Sequence, residues 1–450
     1  MSQKLKSSIV NIFSLGPIGF FLMMNFVGTY YAYFLTDILK ISAATVGTLV
    51  LASRVIDTFA VPVAGGIVEK IHFPWGRYSG WLWLAPPIST LFVTLMFTNP
   101  NFGHTATIIF LGAMYILAHM SINLTEAAHY ALMPVIAYSD EDRVLLSARR
   151  AQAMSAGSLI FGFVAVPMIA ALGGNDEGRG LFLTVLIFSL LQLAGYWLAA
   201  AVSMPFDAKN AGQTGKRAGL REMAGQILKN KPLAILIVAE VCRWSASLIV
   251  MNLSVYYFKY VAIKPVYFTA FLTSRSVATM LGTAVGQYIV RRTSKVTTWN
   301  IGMGINLLFL VIAWFFYSNP TLFIVLHAIA AVGHSIVMTL SAAFLADVAE
   351  YTEWKTKANA RGIIMSLGSL PIKISMALAG GVAGYSLSLV GYVPNTETTH
   401  ELAAAMGALS TLLPAVFAVL ALVLIRFYPL TEHKVSIIRK RKEKFLNNQT

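Results

Sequence analysis

The sequence predicts an all-α membrane protein of twelve transmembrane helices, on three observations. Of its 450 residues 57% are hydrophobic and 12% charged, too few ions to wrap a soluble core. The apolar runs are about 20 residues long, enough to cross a hydrocarbon layer of about 30 Å and too long for the roughly ten-residue alternation of a membrane β-barrel. One long polar stretch, FDAKNAGQTGKRAGLREMAGQILKNK at 206–231, divides them six and six.

In chain order the segments fall at 9–37, 43–68, 79–98, 105–137, 149–172, 180–204, 232–258, 265–290, 297–318, 320–348, 362–391 and 402–429. The first is too long for a removable leader and lacks a small-residue cleavage pattern, so it is expected to act as an uncleaved insertion signal. After the second comes GGIVEKIHFPWGRYSGW at 65–81, where Gly65 and Gly66 are expected to let helices approach and Glu69, Lys70 and Arg77 mark an inner turn. The fourth carries SINLTEAAHYALMP at 121–134, whose helical spacing puts Asn123, Glu126 and Tyr130 on one face. The seventh holds the single cysteine, Cys242, which cannot form an internal disulfide or a cysteine-rich metal site and is expected to pack. After the tenth, FLADVAEYTEWKTKANARGIIMS at 344–366 spaces Asp347, Glu350 and Glu353 three apart and reads as a solvated inner turn, with gating as the functional alternative. The eleventh holds Lys373 in LPIKISMALAGG.

A formal net charge of +15 could indicate nucleic acid, but the basic residues are distributed otherwise. Lys40, Arg179, Lys259 and Lys264 fall in outer connections, and Arg54, Arg243, Arg275 and Lys373 within helices; the rest of the 34 Lys and Arg lie in tails and inner connections. That asymmetry places both termini in the cytoplasm. RKRKEK at 439–444 reads as an anchor at anionic lipid headgroups, and no nucleic-acid partner is expected. The expected parts are an N-terminal six-helix half at 1–205, a partly helical cytoplasmic middle loop at 206–231, a C-terminal six-helix half at 232–429 and a basic cytoplasmic tail at 430–450. This 6+6 layout with tight outer turns is the outline of the major facilitator fold. The outer loops are too short for a ligand-binding ectodomain or a soluble catalytic head.

Four acids remain within or at the edge of the segments away from their starting turns: Asp57, Glu126, Glu240 and Asp347. An ion at mid-depth costs roughly 3 kcal/mol on insertion scales, so each needs a partner, a water-filled cavity or a pathway. In LVLASRVIDTFAVP at 49–62, Arg54 and Asp57 stand at i, i+3 and can pair, and Asp57 can also serve an ion path. Hard cations take oxygen ligands, and carboxylates with aromatic rings hold sugars, so the face of Asn123, Glu126 and Tyr130 is a candidate for either. His129 falls beside that stripe and reads as a hydrogen-bonded packing residue rather than a proton relay. Lys373 is the cationic candidate of the second half, while Glu240, Arg243 and Arg275 receive no role. No nucleophile–base pair, metal-ligand cluster or phosphate-cradling loop appears, so no catalytic residue, metal site or organic cofactor is expected, only a coupling cation, H+ or Na+.

Three segments in order, YFLTDILKISAATVGTLVLASRVIDTFAVP at 33–62, DVAEYTEWKT at 347–356 and IKISMALAGGVAGYSLSLVGYVPN at 372–395, resemble the glycoside–pentoside–hexuronide:cation symporters, the melibiose permease family. The resemblance extends from the first segment to the twelfth. It implies a cation site between the second and fourth helices with a sugar site beside it. By motif it makes Asp57 the cation carboxylate with Arg54 as charge balance, Asn123 a neighbour of the ion, and Glu126 a residue of both sites. It makes Tyr130 the stacking aromatic, Arg150 in SARRAQAMSAG a sugar-contacting arginine, and Lys373 the family lysine. The sequence departs from the family at Val61, where a second cation aspartate stands, and at Phe21 in SLGPIGFF, the position of a sugar-binding acid. Pro17 replaces the aspartate of a GD motif, and Arg361 stands where an acid is common. With fewer carboxylates, H+ is favoured over Na+, and galactoside recognition lacks its family acid.

The expected function is secondary active transport of a sugar, glycoside or uronide across a bacterial inner membrane, by cation symport with alternating access. The expected partners are the sugar-like solute, the cation and membrane lipids. Transport of another anionic or amphipathic solute such as a lysolipid is the alternative, and a non-transporting sensor or membrane enzyme the remote one.

Overall fold

A computed structural model describes residues 5–207, 230–356, 364–365, 367–430, 432 and 434–438. Most of the middle loop, Arg361 and the RKRKEK run lie outside the described residues, and with them the helix expected in that loop. The described residues form helices and one isolated bridge, Phe73 to Gly76. The helices are α1 (Ser7–Phe13), α2 (Leu15–Tyr33, ending in a π turn at Phe34–Ile38), α3 (Ala43–Lys70), α4 (Ser79–Leu95), α5 (His104–Ile136), α6 (Asp140–Gly173) and α7 (Glu177–Asp207). They continue with α8 (Lys231–Tyr260), α9 (Pro265–Val290), α10 (Lys295–Phe315), α11 (Pro320–Met338), α12 (Ser341–Thr356), α13 (Leu370–Leu389) and α14 (His400–Arg426).

Where they are described, the predicted segments fall largely on helix, and among the described residues ten helical stretches are long and apolar enough to cross a membrane. Two of the twelve expected crossings fall short: α4 has 17 residues with Pro86 and Pro87 inside it, and α9 is diluted by Ser, Thr, Arg275 and Gln287. Polar caps fix several starts, because the first amides of a helix have no internal partner. Ser139 accepts from the Asp142 amide at 3.1 Å, Ser294 from Thr297 at 3.1 Å and Asn319 from Leu322 at 3.2 Å.

Two segments expected to be continuous are broken. The first breaks at Ser14, because Pro17 has no amide to return to the carbonyl of Phe13 four residues earlier. The tenth breaks at Thr339–Leu340 and resumes as α12, which runs to Thr356 and replaces the inner turn expected from residue 344. Ala, Leu and Glu favour helix, and neither Gly nor Pro interrupts 341–356.

The chain forms two compact units. The first holds α1 to α7 together with Lys264–Ser276 and Leu387–Glu397, and the second holds α8, Val277–Ser386 and α14. In the first, α2 crosses α7 where a Cβ on Gly195 would lie 2.9 Å from the Cα of Gly16. Of the pair expected to allow close approach, Gly65 is buried, but Gly66 has open space around it. At the start of α4, Asp207 of α7 accepts from the Tyr78 and Ser79 amides at 2.7 and 2.8 Å, capping one helix with another's last residue. Beside it Arg77 pairs with Glu69 at 2.5 Å, and burial, then the Glu69 charge, raise the Tyr78 hydroxyl above its ordinary range. The core of the second unit gathers Leu236, Trp299, Met303, Val337, Phe344 and Val348, with Cys242 packed among them.

Candidate functional site

α5 is the spine of the site, lying against α3 and near α6 and α7 in the first unit. On one side, Asp57 and Arg54 of α3 are both buried, with 3.8 Å between Oδ2 and Nη1. Asn123 of α5 donates from Nδ2 to Asp57 Oδ1 at 2.6 Å. The Arg54 guanidinium lies over the Tyr115 ring, 5.1 Å from its centroid. The expected i, i+3 pair therefore exists, and both carboxylate oxygens face donors.

One turn along α5 stands Glu126, 19% exposed, with Arg150 Nη2 of α6 2.6 Å from one oxygen and the Tyr196 hydroxyl of α7 donating to the other at 2.5 Å. Arg150 also lies over the Tyr130 ring at 4.2 Å, and Tyr130 is 51% exposed. A buried ion pair must be held by further hydrogen bonds to offset its desolvation, and beside the Arg150 pair from α6 Glu126 has the Tyr196 hydroxyl from α7. His129 is fully buried, stacks on Phe13 at 4.3 Å and bonds the Phe13 carbonyl through Nε2 at 3.2 Å. That carbonyl is the one Pro17 leaves unmatched. Since a carbonyl only accepts, Nε2 carries the proton and Nδ1 turns its lone pair toward Arg150 Nη1 at 3.5 Å. This is the arrangement of a packing histidine.

The structure thus brings Asp57, Arg54 and Asn123 into one group and Glu126, Arg150 and Tyr130 into another. Phe21, half-buried on α2, packs edge-on against Phe20 at 5.2 Å. Val61 is half-buried one turn beyond Asp57. Lys373 belongs to the second unit and is half-buried in the first turn of α13. Asp347 is buried and paired with Lys295, and Glu350 and Glu353 are half-buried on the same helix, which corrects their reading as a solvated turn. The i, i+3, i+6 spacing is that of helical neighbours.

Sequence reasoning missed Tyr196 and Tyr115, whose partners lie on other helices. It also left Glu240 and Arg243 without a role. Arg243 donates to Glu240 at 2.6 and 2.9 Å and to His334 Nε2 at 3.1 Å, and lies 4.6 Å over Trp244. Glu240 also accepts from Ser341 at 2.8 Å, so the cluster touches both sides of the α11–α12 break. Arg275 sits 5.9 Å from the Phe271 ring centroid. In the first unit Asp37 is buried and accepts from Thr36 at 2.8 Å and Tyr392 at 2.5 Å.

Ten long apolar helical stretches among the described residues, with ion pairs buried between them, define a multi-pass membrane protein. Residues 12–432 match the MFS/sugar transport protein family, and the chain belongs to it. It is 28% identical over 389 residues to the isoprimeverose transporter of Lactiplantibacillus pentosus, covering 85% of this chain and 80% of that protein. It is 26% identical over 445 residues to the glucuronide carrier protein homolog of Escherichia coli K12, covering 96% and 95%. A bacterial homolog of the human lysosomal transporter Spinster, solved inward-facing and unoccupied, shares the fold with a TM-score of 0.71 at 13% identity, covering 93% of this chain and 96% of that one.

Proposed function

We propose that this protein carries a glycoside or uronide across a bacterial inner membrane in symport with a cation, H+ in preference to Na+, with both termini in the cytoplasm. The observation that carries the reading is the partly exposed Glu126 carboxylate beside the half-exposed Tyr130 ring, with Arg150 joining them. Arg150 covers one face of the ring, and a sugar can stack on the other while its hydroxyls donate to Glu126. Asp57 and Asn123 form the cation group. The names of the isoprimeverose and glucuronide relatives support a glycosidic solute. The test is uptake of labelled isoprimeverose, p-nitrophenyl β-D-glucuronide and a panel of neutral sugars into membrane vesicles. Glu126→Gln should cut uptake of the accepted sugar at least about tenfold, the worth of a hydrogen bond to a charged group. Wild-type uptake in that variant would remove Glu126 from the substrate site.

A further inference from the structure

We infer that Tyr196 is a positioning residue of the substrate site, fixing through its buried hydroxyl the orientation of the Glu126 carboxylate, an inference that rests on Glu126 being a substrate group. Tyr196 has no exposed surface, so it cannot reach a solute. Its hydroxyl stands 2.5 Å from Glu126 Oε1, while Arg150 Nη2 stands 2.6 Å from Oε2. One donor per oxygen, delivered by two different helices, fixes the carboxylate plane and leaves the remaining lone pairs for hydroxyls that approach the exposed part of Glu126. Without the Tyr196 hydroxyl the carboxylate is tied at one oxygen only and turns about its end torsion.

The ring is itself held in place. It meets His129 edge-on at 5.4 Å and Phe20 at 6.5 Å, and it occupies space that only glycine leaves open at position 16. A Cβ added to Gly16 would lie 2.6 Å from Tyr196 Cδ1. Gly16 therefore has a use at the site beyond close helix packing: it seats the ring that orients Glu126. Residues of α6 and α7 meet on the α5 carboxylate, with α2 seating the Tyr196 ring, and the hydroxyl of Tyr196 is the part of that arrangement no local sequence pattern announces.

The experiment uses the purified full-length protein in proteoliposomes. The initial rate at which dicyclohexylcarbodiimide labels Glu126, followed by peptide mass spectrometry, needs no knowledge of the substrate. Tyr196→Phe keeps the ring and loses only the donor. It should speed that labelling several-fold, and Gly16→Ala, which displaces the ring, should do the same. A wild-type labelling rate in Tyr196→Phe protein that elutes as a single species overturns the inference. For transport, Tyr196→Phe should raise KM about tenfold for whichever of labelled isoprimeverose and p-nitrophenyl β-D-glucuronide the wild type accumulates, with little change in Vmax. The same substitution should add nothing in a Glu126→Gln background, and an additive effect there counts against it. If Glu126→Gln transports normally, the substrate reading fails by itself, and the labelling rate still decides the role of Tyr196.

Discussion

At the scale of single residues, Asp57 is a buried carboxylate that faces two donors. Asn123 donates to one oxygen at 2.6 Å and Arg54 faces the other at 3.8 Å, so an arriving cation has to displace or share these donors. Coupling can therefore operate as an exchange of partners at one carboxylate, with Arg54 able to remain over Tyr115 when released. Asp57→Asn keeps the shape of the side chain and removes the charge proposed to bind the cation. It should abolish concentrative uptake while leaving substrate counterflow measurable, since exchange needs no net cation movement. Accumulation equal to wild type would take Asp57 out of the coupling site. Removing one partner of a buried pair costs about 3–5 kcal/mol when the other charge is stranded, so a lowered melting temperature is also expected.

At the scale of helices, a proline break connects a local sequence feature to the site. Pro17 frees the Phe13 carbonyl, His129 takes it at 3.2 Å, and the other side of the same imidazole faces Arg150. Pro17→Ala restores an amide that can return to Phe13 and join α1 to α2. The expected outcome is a melting temperature equal to or above wild type with reduced sugar uptake, because His129 loses its anchor. Unchanged uptake would show that the His129 contact is packing without influence on Arg150. The pair read from the sequence, Arg54 with Asp57, lies three residues apart on one helix, where periodicity alone makes the two neighbours; Glu240 and Arg243 have the same spacing and pair in the same way, although the sequence reading gave them no role. Tyr196 and His334 were not legible, since they meet their partners 70 and 91 residues away, across helix contacts that no local pattern encodes. The acids of α12 were misjudged for a related reason. Polar spacing resembles a solvated turn until Lys295, 52 residues distant, is known to cover Asp347.

At the scale of the whole molecule, composition and run length were enough to establish a helical membrane protein, but not how its chain groups. Lys264–Ser276 and Leu387–Glu397, both expected in the C-terminal half, pack with the first unit. Ser276 donates to the Ser158 carbonyl at 3.2 Å, and Asn395 donates to the Asp37 carbonyl at 2.9 Å. Such contacts depend on which helix ends meet, and an apolar pattern does not specify that.

The driving ion is also a property of the whole transporter, and the residues at Asp57 bear on it. Sodium needs several oxygen ligands at once, whereas a proton needs one carboxylate. Two of the groups that face Asp57 are donors, the Asn123 amide nitrogen and the Arg54 guanidinium. The next turn of α3 presents Val61, an alkyl group, where a second carboxylate would supply oxygens. A proton can reach Asp57 by displacing one donor, while sodium would require Asn123 to turn its oxygen inward and further ligands to be recruited. Uptake in vesicles should therefore respond to an imposed inward proton gradient and show little stimulation by a sodium gradient at fixed pH. Val61→Asp, which places a carboxylate one turn from Asp57 on the same helix, should introduce a sodium response and weaken the dependence on the proton gradient. Strong sodium dependence in the wild type with no response to the proton gradient would overturn the proton reading, and would mean that backbone carbonyls or Glu126 complete the ion's shell.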